Sequence, residues 1–207
     1  MEASKLAALL ASRICHDLVS PVSSLTTGVD LLNDEMGMRD QAEQLLRSGV
    51  ETTTSKLTFL RYAFGSVGLQ EGAADLHDAK ELFSSYFNDL KADLDWRVGG
   101  DPLSFGEVRL LMNLAIIVGE GLAWGGTVAV SAEREGDTRV LMARGEADRV
   151  DLKAAVSSAL AGDEPEGGWT ARNIQPYFAK VIADDLRANL SAVSDAGSVT
   201  ATARVPL

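Results

Sequence analysis

The stretch ASKLAALLASRICHDLVSPVSSLTTGVDLLN, residues 3–33, decides the first third of the fold. Its apolar residues recur three or four positions apart, which is the spacing of one face of an α-helix. The pattern therefore predicts a single long helix from Ala3 to Asn33. Its apolar stripe consists of Leu6, Leu10, Ile14, Leu18, Val22, Leu25, Val29 and Leu32.

A second apolar stripe begins after Gly37, which breaks the first pattern. It predicts another helix from Ala42 to Phe64, and Gly65 and Gly68 close that helix as glycines commonly do. Two helices joined by a short loop form a hairpin, and a hairpin alone cannot enclose a hydrophobic core. We therefore expect the rest of the chain or a second copy to cover the stripes, and a homodimeric four-helix bundle is the simplest solution.

The chain after Gly72 alternates between helical and strand patterns. Ser104 and Glu107 have the spacing of a capping box, which marks the start of a helix. Helices are predicted at 76–91, after Ser104, at 151–160 and at 172–190, and strands at 94–98, 127–133, 139–144 and within 191–205. The expected fold class is α+β: a helical hairpin over residues 1–70, then over 73–207 an α/β sandwich with helices on one face of a mostly antiparallel sheet.

Composition excludes several classes of function. The chain has 207 residues, 46% of them hydrophobic, which is enough for a substantial core. A formal net charge of −11 argues against nucleic acid or an anionic membrane as the main partner. No apolar stretch approaches the roughly 20 residues of a membrane span, and no signal-peptide pattern is present, so we expect a cytoplasmic protein. The single cysteine, Cys15, excludes an internal disulfide, and we expect it to be buried.

His16, one of two histidines, faces away from the apolar stripe of the first helix. At about 100° per residue, an ideal helix places it almost opposite that stripe, in solvent. The same outer face carries small polar residues and one cation, which leave room for another protein to approach the ring. These neighbours are Ser12, Arg13, Ser20, Ser23 and Thr27. Most exposed helical histidines have no function, so the case for His16 depends on the sequence around it.

The run HDLVSP, residues 16–21, resembles the H-box of histidine kinases, in which an acidic residue follows the phosphorylated histidine and a proline lies five positions beyond. Imidazole is a good nucleophile toward phosphorus, and Asp17 can hold or accept the ring proton. Pro21 deletes a helical hydrogen bond and can free this turn to adjust to a partner. Ser20 stands where related kinases often carry a residue that positions water. Arg13 can steady phosphoryl oxygens, pair with an acidic partner or remain an ordinary solvated arginine.

The second segment is similar in element order to the ATP-binding domain of histidine kinases, the GHKL fold, but lacks its nucleotide motifs. RLLMNLAII, residues 109–117, lies where kinases have the N-box helix, and Ile117 replaces a second asparagine that helps hold magnesium. Ala143 stands where kinases have the aspartate that binds adenine. The glycine-rich lid is reduced to GGW, residues 167–169. Because phosphates need backbone N–H groups, magnesium and a flexible cover, we expect no ATP binding.

A kinase-like chain that keeps the histidine without the nucleotide chemistry resembles the ChpT family of alphaproteobacterial histidine phosphotransferases. LTFLRYAFG, residues 57–65, and LDW, residues 94–96, look like that family's second-helix end and first strand. The resemblance implies a homodimeric phosphotransferase without autokinase activity. It further implies that His16 takes a phosphoryl group from the receiver domain of a CckA-like hybrid kinase and passes it to CtrA-like or CpdR-like response regulators. No cofactor is expected in this chain, since the partner receiver would bring Mg²⁺.

Two alternatives stay open at this point. One is an ATP-dependent histidine kinase with a divergent ATP site, and the other is a noncatalytic dimeric scaffold in which His16 is incidental. His77 is more often a surface or capping residue than a second phosphoryl site. Glu120, between two glycines, is expected in a solvated turn.

Overall fold

A computed structural model describes residues 1–33, 38–122 and 124–207 as a helical hairpin followed by an α/β sandwich. The helices are α1 (Ala3–Leu32), α2 (Arg39–Ala63), α3 (Leu76–Asn88), α4 (Phe105–Glu120), α5 (Ala154–Ala161) and α6 (Ile174–Asp185). The strands are β1 (Ala92–Val98), β2 (Gly126–Glu135), β3 (Thr138–Glu146), β4 (Asn189–Asp195) and β5 (Ser198–Pro206). A 3₁₀ turn, Val67–Leu69, follows α2.

The two long helices predicted for the hairpin are confirmed to within a few residues at their ends. Gly37, the predicted break between them, lies outside the described residues. Two glycines let α1 and α2 approach closely. A Cβ added at Gly28 would lie 2.8 Å from Leu46 Cγ, and one added at Gly49 would lie 2.7 Å from Leu25 Cδ2. A larger residue at either position would therefore have to displace a leucine of the facing helix.

The sandwich contains a five-stranded sheet in the order β1-β2-β3-β5-β4. The β1–β2 pair is parallel and the other three pairs are antiparallel, which confirms the predicted mostly antiparallel sheet. Alternate residues of β5, from Val199 to Val205, are buried because they face the helical layer. In that layer α4 packs across β2, β3 and β5, while α5 and α6 pack near β4.

Helix α4 is the central element of the structure. It begins at the predicted capping box: Ser104 Oγ accepts from the Glu107 N–H at 3.2 Å, and Glu107 Oε2 accepts from the Ser104 N–H at 2.7 Å. From Glu107 to Val118 every residue of α4 is buried, as expected for a helix enclosed on all sides. The core is continuous with the end of α2, where Phe59 stacks on Tyr86 of α3 with ring centroids 4.0 Å apart. The hairpin and the sandwich therefore share one hydrophobic core.

Two predicted helices are longer in the sequence pattern than in the structure. The helix predicted to reach Leu190 ends at Asp185, because Arg187 adopts a left-handed backbone conformation with φ of 55° and strand β4 then begins. The helix predicted to reach Lys91 ends at Asn88, and strand β1 starts at residue 92. In both places an apolar periodicity continues across a helix end and into a strand, so hydrophobic spacing alone gives no stop signal.

Candidate functional site

His16 projects from the outer face of α1, and 59% of its side chain is exposed. The predicted solvent exposure of this ring is confirmed. Its Nδ1 lies 3.2 Å from Oδ1 of Asp17, the next residue along the helix. When Nδ1 carries the ring proton it donates to this carboxylate, and the lone pair on Nε2 is then free for another reaction partner.

Asp17 is held in turn by a second interaction. Arg13 Nε donates to Asp17 Oδ2 at 2.8 Å, while Arg13 Nη2 donates to Oε1 of Glu120, the last residue of α4. The series Glu120, Arg13, Asp17 and His16 forms what we term the polar chain. It runs from the sandwich to the imidazole, so two regions far apart in sequence contribute to the surroundings of one ring.

One expectation from the sequence is wrong at this position. Arg13 does not lie on the open face: its side chain is only 10% exposed, because it turns into the seam between α1 and α4. Glu120 is exposed, as expected, but it is the last residue of α4 and also pairs with Arg13. The four-residue spacing of Arg13 and Asp17 is that of a helical ion pair and was visible in the sequence. Glu120 lies 107 positions from Arg13, and no local pattern indicates that contact.

Burial and the two carboxylates together set the charge states in this seam. Burial alone would lower the pKa of the Arg13 guanidinium, but Glu120 and Asp17 more than offset that effect and raise its pKa above the ordinary value. Burial, followed by the negative charges of Asp17 and Glu120, raises the pKa of the Tyr86 phenol. Arg13 therefore stays cationic and Tyr86 neutral at physiological pH. These four side chains, together with Lys56, line a cleft of about 200 Å³.

The neighbours of His16 along α1 differ in exposure. Ser20 is exposed one turn beyond the ring, as expected for the outer face. Pro21 is buried within the helix, and because proline has no N–H the carbonyl of Asp17 lacks its helical donor. Cys15 is exposed, which corrects the expectation that it is buried. Its position on the wheel faces neither α2 nor the seam with α4.

The positions compared above with kinase nucleotide motifs take part in packing and hydrogen bonds. Asn113 Nδ2 donates to the carbonyl of Ala63 at 3.0 Å, and Asn113 Oδ1 accepts from Gln175 Nε2 at 3.0 Å. Ile117 and Ala143 are 2% and 0% exposed. The asparagine therefore links α4 to the end of α2 and to the start of α6.

Arg109, one turn before Asn113, reinforces the contact with α2. Its Nε and Nη2 donate to the carbonyls of Ala63 and Phe64 at 3.3 and 3.2 Å, and its guanidinium lies 5.0 Å from the Phe178 ring centroid. These carbonyls belong to the end of α2, where helical donors run out and a cation is favourable. Burial lowers the pKa of Arg109, and Asp185 partly offsets that effect.

In the part of the chain that the structure describes, no three histidine, cysteine, aspartate or glutamate side chains are grouped so that they could hold a metal ion. Within the same residues, no helix is both long and apolar enough to cross a membrane.

Comparison with known proteins identifies the family. A family model described as the histidine phosphotransferase C-terminal domain matches residues 76–198. Protein phosphotransferase ChpT of Brucella abortus (strain 2308) is 33% identical over 193 residues, which cover 92% of this chain and 91% of that relative. The chain belongs to the histidine phosphotransferase family. The resemblance to ChpT-type proteins and the phosphotransferase class, both predicted from the sequence, are confirmed.

Solved structures show the same relationship for this histidine phosphotransferase. A bacterial phosphotransferase solved at 1.7 Å matches with a TM-score of 0.88 and 28% identity, covering 98% of this chain and 97% of its own. The histidine kinase AdeS of Acinetobacter baumannii matches with a TM-score of 0.52 at 13% identity, covering 92% and 97%. The second likeness concerns the fold alone. The predicted α+β class, with a hairpin before a kinase-like sandwich, is confirmed.

Proposed function

We propose that the chain carries a phosphoryl group on His16 and passes it between receiver domains of a phosphorelay in the cytoplasm. The observation that carries the proposal is an exposed imidazole whose Nδ1 lies 3.2 Å from the Asp17 carboxylate. Its Nε2 can then meet a phosphorylated aspartate in line. The family resemblance points to a CckA-like hybrid kinase as donor and to CtrA-like and CpdR-like regulators as acceptors.

The transfer is a displacement at phosphorus. The N–P bond forms from Nε2 as the P–O bond to the receiver breaks, and the receiver's aspartate leaves as a carboxylate. The ring becomes positively charged with its proton still on Nδ1, and Asp17 presents a negative charge to that N–H. In the reverse direction a receiver's carboxylate forms the P–O bond, the N–P bond breaks and the ring leaves as neutral imidazole, so the relay can run both ways.

The other predicted residues have supporting roles in this scheme. Ser20 lies one turn from the ring and can position water for hydrolysis of the phosphohistidine. Pro21 removes one backbone hydrogen bond from the turn that carries His16, which lets the turn adjust to a partner. Arg13 is not proposed as a phosphoryl contact, because its guanidinium is engaged by Asp17 and Glu120. Magnesium is expected on the receiver, where it neutralises the phosphoryl oxygens.

We propose further that ATP is not the donor. Three observations support this: Asn113 is engaged by Ala63 and Gln175, Ile117 is buried where a second asparagine would hold magnesium, and Ala143 is buried where an aspartate would bind adenine. A nucleotide or metal ion bound by Asn113 would break the hydrogen bonds that hold α4 to α2 and α6. Each buried group left without a partner would cost about 1–3 kcal/mol.

We propose that a second copy covers the free face of the hairpin. Val22 and Val29 of α1 and Val50 and Leu57 of α2 are 48–55% exposed, although they belong to the apolar stripes. An apolar groove of about 400 Å³ continues this face toward Phe64. Burying such a surface against its own symmetry mate gives a four-helix bundle. In this arrangement residues 1–70 would serve dimerisation and phosphotransfer, and residues 73–207 would help partners to dock.

The test is phosphotransfer with ³²P label and purified protein. The protein is offered either ATP with Mg²⁺ or a receiver domain phosphorylated by its own kinase. His16→Ala is the test variant, and His77→Ala is a matched control because His77 is an exposed histidine on α3. We expect label only from the receiver, lost in His16→Ala and retained in His77→Ala.

The other outcomes separate the alternatives. Label taken directly from ATP would make the protein a histidine kinase with a divergent site. Label retained by His16→Ala would remove His16 from the mechanism. If no receiver domain encoded in the same genome transfers label to the protein, a noncatalytic scaffold would be favoured.

A further inference from the structure

We infer that Arg13 and Glu120 are positioning residues for His16 and act on it through Asp17. The inference rests on the proposed function, because it concerns how the ring is prepared for transfer. Arg13 hydrogen-bonds to Asp17 and Glu120, not to the imidazole. The polar chain nevertheless connects both of them to the Nδ1 side of the ring.

Asp17 is held in an orientation that serves the ring. A carboxylate next to a histidine on a helix can point in several directions, and only some of them place an oxygen near Nδ1. Arg13 Nε engages Oδ2 at 2.8 Å, which leaves Oδ1 for the ring at 3.2 Å. A charge-assisted hydrogen bond of this kind is strong and directional. The Asp17 side chain is only 18% exposed while that of His16 is 59% exposed, so the carboxylate is the fixed partner and the ring is the mobile one.

Arg13 is held in turn by Glu120. Its side chain is 10% exposed, and a buried cation is costly unless its charge and its N–H groups are matched. Asp17 alone satisfies only the Nε side of the guanidinium. Glu120 satisfies Nη2 from the end of α4, so the sandwich fixes the orientation in which Arg13 holds Asp17. Two carboxylates around one guanidinium also leave a net negative charge, which favours the cationic ring formed during transfer.

The consequence is a division of work within one site. His16 and Asp17 belong to the hairpin, but the tautomer of the ring is set by a residue of the sandwich. With the polar chain intact, Nδ1 of His16 carries the proton and Nε2 is the nucleophile. When Arg13 or Glu120 is replaced, the Asp17 carboxylate is no longer held near Nδ1. The ring then also samples the other tautomer, in which Nε2 is protonated and cannot attack.

The experiment measures the tautomer and the transfer rate in the same variants. Arg13→Gln removes the direct support of Asp17, and Glu120→Gln is the milder variant because Glu120 is 45% exposed. Glu135→Gln is the matched control: it breaks the ion pair with Arg204, whose Nη1–Oε2 distance is 2.7 Å, on the surface of the sheet. The ¹⁵N chemical shifts of the His16 ring report which nitrogen is protonated and need no phosphoryl donor.

We expect the wild-type ring to be protonated on Nδ1 and both site variants to shift toward the Nε2–H tautomer, with the control unchanged. Transfer from a phosphorylated receiver should slow about tenfold in Arg13→Gln, the effect of losing one charge-assisted hydrogen bond, and should slow less in Glu120→Gln. In an Asp17→Asn background neither substitution should slow transfer further, because Arg13 and Glu120 act through that carboxylate.

Two results would overturn the inference. One is a wild-type tautomer distribution in Arg13→Gln. The other is an equal loss of rate with and without the Asp17 carboxylate, which would make Arg13 a direct contact of the partner. Failure of the proposed function is a separate result, because it would appear as phosphotransfer activity that remains in His16→Ala. The tautomer measurement tests the positioning role of Arg13 and Glu120 whether or not the proposed function holds.

Discussion

Replacing Asn113 with alanine removes a fully buried side chain that ties three elements together. Its amide donates to the carbonyl of Ala63 in α2 and accepts from Gln175 in α6. The resemblance to the kinase N-box implies a metal-holding role for an asparagine in this helix, whereas these contacts imply a role in the core. The substitution therefore asks whether Asn113 acts in stability or in catalysis.

The magnitude follows from the contacts. The carbonyl of Ala63 keeps Arg109 Nε at 3.3 Å, and Gln175 Nε2 keeps the backbone carbonyl of residue 113 at 2.9 Å, so neither partner is left fully unsatisfied. The donation from Asn113 Nδ2 to the Arg109 carbonyl at 2.9 Å is lost as well, but that carbonyl keeps the helical N–H of residue 113. Each of the two hydrogen bonds to α2 and α6 then costs about 1 kcal/mol. The cavity adds roughly 1 kcal/mol, which gives a total near 3 kcal/mol. For a chain of this length that corresponds to a fall in Tm of roughly 6–12 °C.

The assay is thermal unfolding followed by circular dichroism, with and without ATP and Mg²⁺, beside phosphotransfer measured well below the Tm. Asn189→Ala is the control, because Asn189 is exposed on β4 and its loss should change stability by about 0.5 kcal/mol or less. We expect Asn113→Ala to lower the Tm, to transfer phosphoryl groups at the wild-type rate and to be indifferent to ATP. A wild-type Tm without nucleotide, combined with an ATP-dependent stabilisation that the variant loses, would refute the structural role.

Three further outcomes test other parts of the structure. Val50→Glu places a charge on the free face of the hairpin and should convert a dimer to a monomer in light scattering, whereas Val193→Glu, equally exposed on β4, should not. Burial raises the pKa of Tyr62 to about 12, so the folded state holds that proton more tightly than an unfolded tyrosine, which titrates near pH 10. Urea titrations should show the free energy of unfolding falling between about pH 10 and 12, less steeply in Tyr62→Phe. A Cβ at Gly68 would lie 2.8 Å from Arg109 Cβ, so Gly68→Ala should destabilise the protein by about 1–3 kcal/mol in the same titrations, and an unchanged midpoint would contradict the packing at this position.

The fold was largely predictable because its elements are marked by local patterns. The spacing of apolar residues gives α1 and α2, the capping box at Ser104 gives the start of α4, and alternation gives β2 and β3. The end of α6 was missed because the left-handed Arg187 is neither glycine nor asparagine, the residues that normally signal such a conformation. Residue propensities predict regular structure, so they do not predict a left-handed arginine whose conformation is set by packing.

The site was predictable only on the side that faces solvent. An ideal helical wheel places His16 outward correctly, since it needs only the direction of the α2 stripe. It places Arg13 outward incorrectly, because a second neighbour, the end of α4, comes against the flank of α1. A helical wheel drawn from one apolar stripe assumes that a helix has a single buried side. A helix enclosed from two directions has a seam that only the tertiary structure reveals.

The contacts of α4 also bear on how signals are regulated. In a kinase that phosphorylates its own hairpin, the nucleotide-binding unit has to reach the histidine. Here Arg109 and Asn113 fasten one part of α4 to the end of α2, and Glu120 fastens the other end to α1. We expect these contacts to limit movement of α4 relative to the hairpin. In the proposed relay, the flow of phosphoryl groups through the protein would then follow how many of its partner receiver domains are phosphorylated.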